Sequence, residues 1–383
     1  METIELSTTV LDWAARSSGS SLSDVAQKIS KKSLGVEKIV SGIMTYAQVK
    51  KFSQLTGIRV ADLFLDSPPP PRRLPIADFR TVQYAEEIND DFFDVYDDII
   101  FKQSWYHDER KNNGYSELDF VGRFNKTRNV SELANDIRET LGYSLSELES
   151  LNKPDDLFSL LSKKSEDIGI LIFKNGVVGN NTRRPISVNQ FRGFAICDRY
   201  APVIFVNGCD APAAWVFTLA HELAHIWIGE TGISDGAAAT QIDVERFCNS
   251  VAAEFLLPSQ HFISTWLSLK SENAFIKISE IKKAFKVSEF VVARKAYELK
   301  FIDIDVYEEV YKRLRFIAKQ NREASSGGDF YRTLAIRNSK RFTKEVTNLA
   351  ISGKITLGQA GRLLNTNPNN VVKFYAKQHS LSI

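Results

Sequence analysis

The chain has 383 residues, 43% apolar and 25% charged, enough for two or three folded domains, which excludes a disordered or collagen-like chain. No apolar run is long enough to cross a bilayer and the amino terminus carries no signal-peptide pattern, so a cytosolic (cytoplasmic) protein with no membrane partner is expected. The net charge of +2 conceals an asymmetry: residues 276–383 hold 21 Lys+Arg against 10 Asp+Glu, leaving 28 against 37 for residues 1–275. A basic last third suits either a surface for nucleic acid or an acidic partner, or a solvated face.

Residues 1–66 read as short helices: "TTVLDWAARSSG", "SLSDVAQKIS", "GVEKIVSG", "YAQVKKFSQLTG" and "RVADLF". The spacing of Ala26, Ile29, Ile39, Val40, Val49, Phe52 and Leu55 predicts one small shared core. Ser21 and Ser23 are candidate N-caps of the second helix, and Gly42 and Gly57 candidate stops. "DSPPPPRRLP", Asp66 to Pro75, then predicts a semi-rigid polyproline spacer. The expected organisation is a helical domain over 1–66, a linker over 67–80, a second domain over 81–324 and a basic helical region over 325–383.

Beyond the spacer, "EEINDDFFDVYDDII" carries seven acids and no base and predicts a helix with a solvated acidic face. Three runs follow that predict strands, Ile168 to Phe173, Phe191 to Cys197 and Pro202 to Val206. Cys197, Cys209 and Cys248 lack CxxC spacing, so they are expected as small core residues rather than disulfides or a thiolate cluster. "ISEIKKAFKVSEFVVARKAYEL" and "ITLGQAGRLLNTNPNNVVKFYAK" each predict two helices about a turn, and "SSGGD", Ser325 to Asp329, a hinge.

The chemistry concentrates in "FTLAHELAHIWIGE", Phe217 to Glu230, which holds two of the five histidines. Asp210 can cap this helix, Pro212 fits its first turn, and Gly229 ends it. His221 and His225 lie one turn apart on one face, so both imidazoles can reach one metal ion. Glu222 sits about 100° further round and could take a proton from water beside it. A buried structural helix with a satisfied histidine pair is the alternative. A catalytic zinc takes three protein ligands and keeps one position open, so a third ligand decides between them. The candidate is Glu245 in "DVERFCNSVAAEFLLP", with Asn249 one turn later as its supporting partner. Glu254 faces the opposite side of that helix. Arg192, Tyr200 and His261 are candidates for an oxyanion donor, while His107 and His379 carry no partner pattern and are expected at the surface.

"HELAH" and "ERFCNSVAAEFLLP", with the flanking "VNGCDAPAAWVFTLAHELAHIW" and "GGDFYRTLAIRNSKRFTKEV", resemble the ImmA/IrrE family of metallopeptidases over about residues 165–350. The resemblance implies one zinc ion per chain on His221, His225 and Glu245, with Glu222 catalytic. "SLSDVAQKIS" and "SGIMTYAQVKKFSQLTGIRVADLF" resemble an Xre-type helix-turn-helix domain. The fold class expected is therefore α+β and mostly helical: an N-terminal helix-turn-helix bundle, a zincin-like metallopeptidase domain with a small β-sheet, and a helical C-terminal region. The combination implies a zinc endopeptidase cleaving a repressor or antitoxin to control gene expression or a toxin. The alternative is a DNA-binding regulator using a peptidase fold as scaffold, contacting DNA through Arg337, Lys340, Arg341 and Lys344. Residues 1–66 balance 8 Lys+Arg against 7 Asp+Glu, and the candidate recognition helix offers only Lys38. Duplex affinity rests on phosphate neutralisation, so a protein partner or a homodimer competes with DNA as this domain's target.

Overall fold

In the computed structural model the described residues are 3–18, 20–70, 77–78, 88–126, 129–234, 243–320 and 330–378. The hinge Ser325 to Asp329, His379 and most of the proline-rich spacer lie outside them. The chain divides into two compact units, one of residues 1–74 with 88–93, the other of residues 75–87 with 94–383.

The first unit contains β1 (Ile4–Glu5), α1 (Thr8–Ser17), α2 (Leu22–Ile29), α3 (Ser33–Val40), β2 (Ile43–Met44) and α4 (Tyr46–Thr56). Antiparallel pairing of β1 with β2 closes it. Ser21, not Ser23, caps α2: its hydroxyl accepts the Asp24 amide while Asp24 reaches back to Ser21. Gly57 ends α4 in the left-handed region, as expected of a stop. Ala26, Ile39, Val49 and Phe52 are buried. Val40 and Leu55, predicted as core, are instead exposed at 37% and 39%. The buried stripe of α4 runs Val49, Phe52, Thr56, which turns Leu55 aside, and Val40 lies one position, about 100°, beyond Ile39.

The second unit is mostly helical around a small sheet. In chain order it has β3 (Ala77–Asp78), most of α5 (Asp90–Asn112), α6 (Val130–Leu141), α7 (Pro154–Asp167), β4 (Leu171–Asn175), β5 (Val177–Val178), β6 (Asn181–Pro185), β7 (Gly193–Ile196) and β8 (Val203–Asn207). Then come α8 (Pro212–Ile228), β9 (Gly232–Ser234), α9 (Asp243–Leu256), α10 (Ser259–Ser268), α11 (Ala274–Phe285), α12 (Glu289–Glu298), α13 (Ile304–Gln320), α14 (Phe330–Arg337), α15 (Lys340–Ile351), α16 (Leu357–Leu363) and α17 (Pro368–Gln378). The sheet order is β3-β9-β7-β8-β4, with β7 antiparallel to both neighbours and the two edge pairs parallel. β4 starts three residues later than predicted, because Ile168 caps α7 and Gly169 turns the chain at φ 111°.

β7 and β8 are buried along their whole length, which is why their sequences are continuous apolar runs. α8 packs against β7 and β8 on one side and α9 on the other, inside one large apolar core. The C-terminal helices belong to this same compact unit rather than standing apart. Their joint is polar: Ser339 Oγ donates to Glu166 Oε1 at 2.5 Å, and Arg341 donates to the Tyr106 hydroxyl and the Glu166 carbonyl. The acidic stretch on α5 is only partly solvated, since Asp94 pairs with Arg184 and Asp98 with Lys102.

Candidate metal centre

α8 begins with Pro212 at its first turn, where the missing N–H costs nothing, and ends at Gly229 with φ 83°. The expected cap is displaced: Ala211 holds the N-cap position, and Asp210 accepts the Ala211 amide and pairs with Arg192. Between these ends every residue from Thr218 to Ile228 is buried. A helix apolar on nearly all sides is a core element, so polar residues at His221, Glu222 and His225 are costly unless they are used.

The structure brings the three predicted ligands together. His221 Nε2 lies 3.1 Å from Glu245 Oε2, His225 Nε2 lies 2.8 Å from Glu245 Oε1, and the two Nε2 atoms are 3.1 Å apart. One donor atom from each residue falls within 4.8 Å of the others, and all three residues are at most 1% exposed. Asn249 Oδ1 is 3.1 Å from His221 Nδ1. An amide oxygen only accepts, so Nδ1 carries the proton and Nε2 turns its lone pair inward. Two imidazole lone pairs facing one carboxylate repel unless a cation lies among them. The donor set therefore fits a divalent metal ion, with Asn249 fixing the tautomer of one ligand. Burial opposes ionisation of Glu245, but the His221 and His225 rings outweigh it and hold the carboxyl at about 2.

Glu222 is fully buried beside β7. A Cβ on Gly193 would come within 3.0 Å of Glu222 Oε1, 2.8 Å of the Phe205 carbonyl and 2.5 Å of Thr218 Cγ2. Only glycine leaves room for the carboxylate here, so Gly193 belongs to the site although the sequence analysis did not select it. Its signal was a glycine inside the apolar strand pattern "FRGFAIC", which marks a close approach.

Residues 165–297 match the family model of the IrrE N-terminal-like domain, Peptidase_M78. The matched domain runs from the end of α7 to α12, so it contains Gly193, Glu222 and all three ligands. Residues 338–377, from the α14–α15 joint into α17, match a domain of unknown function, DUF8813. No curated protein matches the chain.

The other predicted residues lie elsewhere or do other work. Glu254 faces away from the ligands, accepting from Ser259 Oγ and pairing with Lys295. Arg192 is held by Asp210, Tyr200 packs its ring edge-on against His107, and His261 is exposed on α10. His107 is not a bare surface residue, because its Nδ1 sits 2.9 Å from both oxygens of Asp198. Of the cysteines only Cys248 is fully buried. Cys209 is exposed, while Cys197 contacts the His225 carbonyl and burial pushes its thiol up to about 12. Arg337 and Arg341 are half-buried and engaged within the unit, whereas Lys340 and Lys344 are exposed. No helix among the described residues is long and apolar enough to cross a membrane.

Proposed function

We propose that the chain is a zinc-dependent endopeptidase whose substrate is a regulatory protein, a repressor or an antitoxin, chosen through the Xre-like amino-terminal unit. The observation that carries this is the buried convergence of His221, His225 and Glu245 with Glu222 as the next residue on the same helix. Two nitrogens and one oxygen suit zinc, and three protein ligands leave a position open. Zinc bound there supplies Lewis acidity toward water and the scissile carbonyl. Glu222 takes the proton from the attacking water and returns it to the leaving amine. Gly193 keeps that carboxylate beside the ligand set, and Asn249 holds the His221 ring in the orientation that presents Nε2.

The match to the IrrE N-terminal-like domain supports a peptidase. In the amino-terminal unit, Lys31 and Lys32 immediately precede α3, so the element carries more positive charge than Lys38 alone. Glu222→Gln keeps the shape and removes the base. Purified wild type, loaded with zinc, is expected to cleave a co-expressed regulator, while the variant retains metal and fold and loses turnover by at least about 100-fold. Equal cleavage by the variant contradicts the role of Glu222.

A further inference from the structure

Away from the metal ligands, α5, the β4–β5 region, the α14–α15 joint and the α16–α17 turn converge on a small polar cleft that none of the ligands lines. Lys102 is 2% exposed, and its ammonium donates to Asp98 Oδ2 at 2.5 Å and Asn338 Oδ1 at 2.8 Å, leaving one hydrogen. Asp98 also accepts from the Asn365 amide at 2.9 and 3.0 Å. Arg337 is half-buried and donates through Nη1 to Asn180 Oδ1 at 3.1 Å, and among the described residues no carboxylate pairs with it. Two cations thus face one carboxylate that is already shared between two donors. The lining holds a surplus of N–H groups and of positive charge, in a space that admits one water-sized occupant.

Burial lowers the Arg337 pKa, the mark of a cation that lacks a compensating anion. Water would bring two hydrogens to a lining short of acceptors, and a tetrahedral oxyanion exceeds the space. A monovalent anion of halide size accepts several N–H bonds and cancels the excess charge.

We propose that this cleft is a chloride-sized anion site, and that the bound anion ties residues 338–377 to the rest of the unit. The polar residues come from both sides of that joint: Lys102, Asp98 and Asn180 from one, Asn338 and Asn365 from the other, with Arg337 at the boundary.

The test compares thermal unfolding of the full chain in potassium chloride and potassium glutamate at fixed ionic strength. The chloride-minus-glutamate difference in Tm is expected to be about 3 °C more positive in wild type than in Arg337→Gln, with Arg337→Lys between them. The same difference in wild type and Arg337→Gln reflects a general salt effect and overturns the site. Should the variant fail to fold, wild-type crystals grown in bromide decide. An anomalous peak within hydrogen-bonding distance of Lys102 and Arg337 supports the site, and its absence overturns it. A peak without a chloride-dependent Tm shift means an adventitious ion only and overturns the locking role.

Discussion

Gly193→Ala adds one methyl group, yet its cost is expected to be large because three neighbours leave no space. The new Cβ would sit 2.5 Å from Thr218 Cγ2, 2.8 Å from the Phe205 carbonyl and 3.0 Å from Glu222 Oε1. The Phe205 carbonyl belongs to the β8 ladder against β7 and cannot swing away. Overpacking of this kind costs about 1–3 kcal/mol, and the rigid backbone contact places it near the upper end. Losing a glycine from the unfolded chain gains back about 0.4–1 kcal/mol, so the net loss is about 2 kcal/mol. Urea unfolding should show this as a lower midpoint with an unchanged slope. Thr218→Ser removes the closest methyl, so in the Gly193→Ala background it should recover about 1 kcal/mol as a coupling energy. Displacement of Glu222 should also lower turnover while metal content stays at the wild-type level. A Gly193→Ala protein within about 0.5 kcal/mol of wild type, with unchanged activity, would refute the packing account of this site.

Asn249→Ala removes the acceptor that fixes the His221 tautomer, and zinc affinity should fall about 10–100-fold in competition with a chelating dye; unchanged affinity would deny Asn249 that part. Glu254→Gln leaves the Lys295 ammonium, 7% exposed, without its anion, and should cost about 3 kcal/mol at pH 7 in urea unfolding. Burial opposes ionisation of Glu254, but Lys295 and Ser259 outweigh it and hold the carboxyl below its ordinary value of 4.5. A lowered folded-state pKa contributes stability above the ordinary value and loses it as pH falls through the lowered one. The gap between wild type and variant should therefore be steady from neutral pH down to about pH 5 and shrink in more acid solution. A gap that does not shrink would show that the charge is not what Glu254 contributes.

The metal ligands were legible because helical geometry is local. The i, i+4 spacing of His221 and His225 puts two imidazoles on one face whatever surrounds them, and Glu245 with Asn249 repeats the same rule one helix later. The central strands were legible as apolar runs, since β7 and β8 are buried on both faces. Gly193 was missed because its neighbours come from α8 and β8, and only the folded sheet brings them to it. His107 and Asp198 lie 91 residues apart, and Arg341 and Tyr106 lie 235 apart, so no local pattern pairs them. The basic last third looked like a free surface for the same reason: charge composition counts Arg337 and Arg341 without showing that Asn180, Tyr106 and Glu166 engage them.

The central claim is that His221, His225 and Glu245 hold a zinc ion. Plasma mass spectrometry of the purified chain and of Glu245→Ala, each loaded with zinc and then dialysed, tests it directly. Near-stoichiometric zinc in wild type and a marked loss in the variant are the predicted result; wild type without zinc, or a variant that keeps it undiminished, would contradict the account.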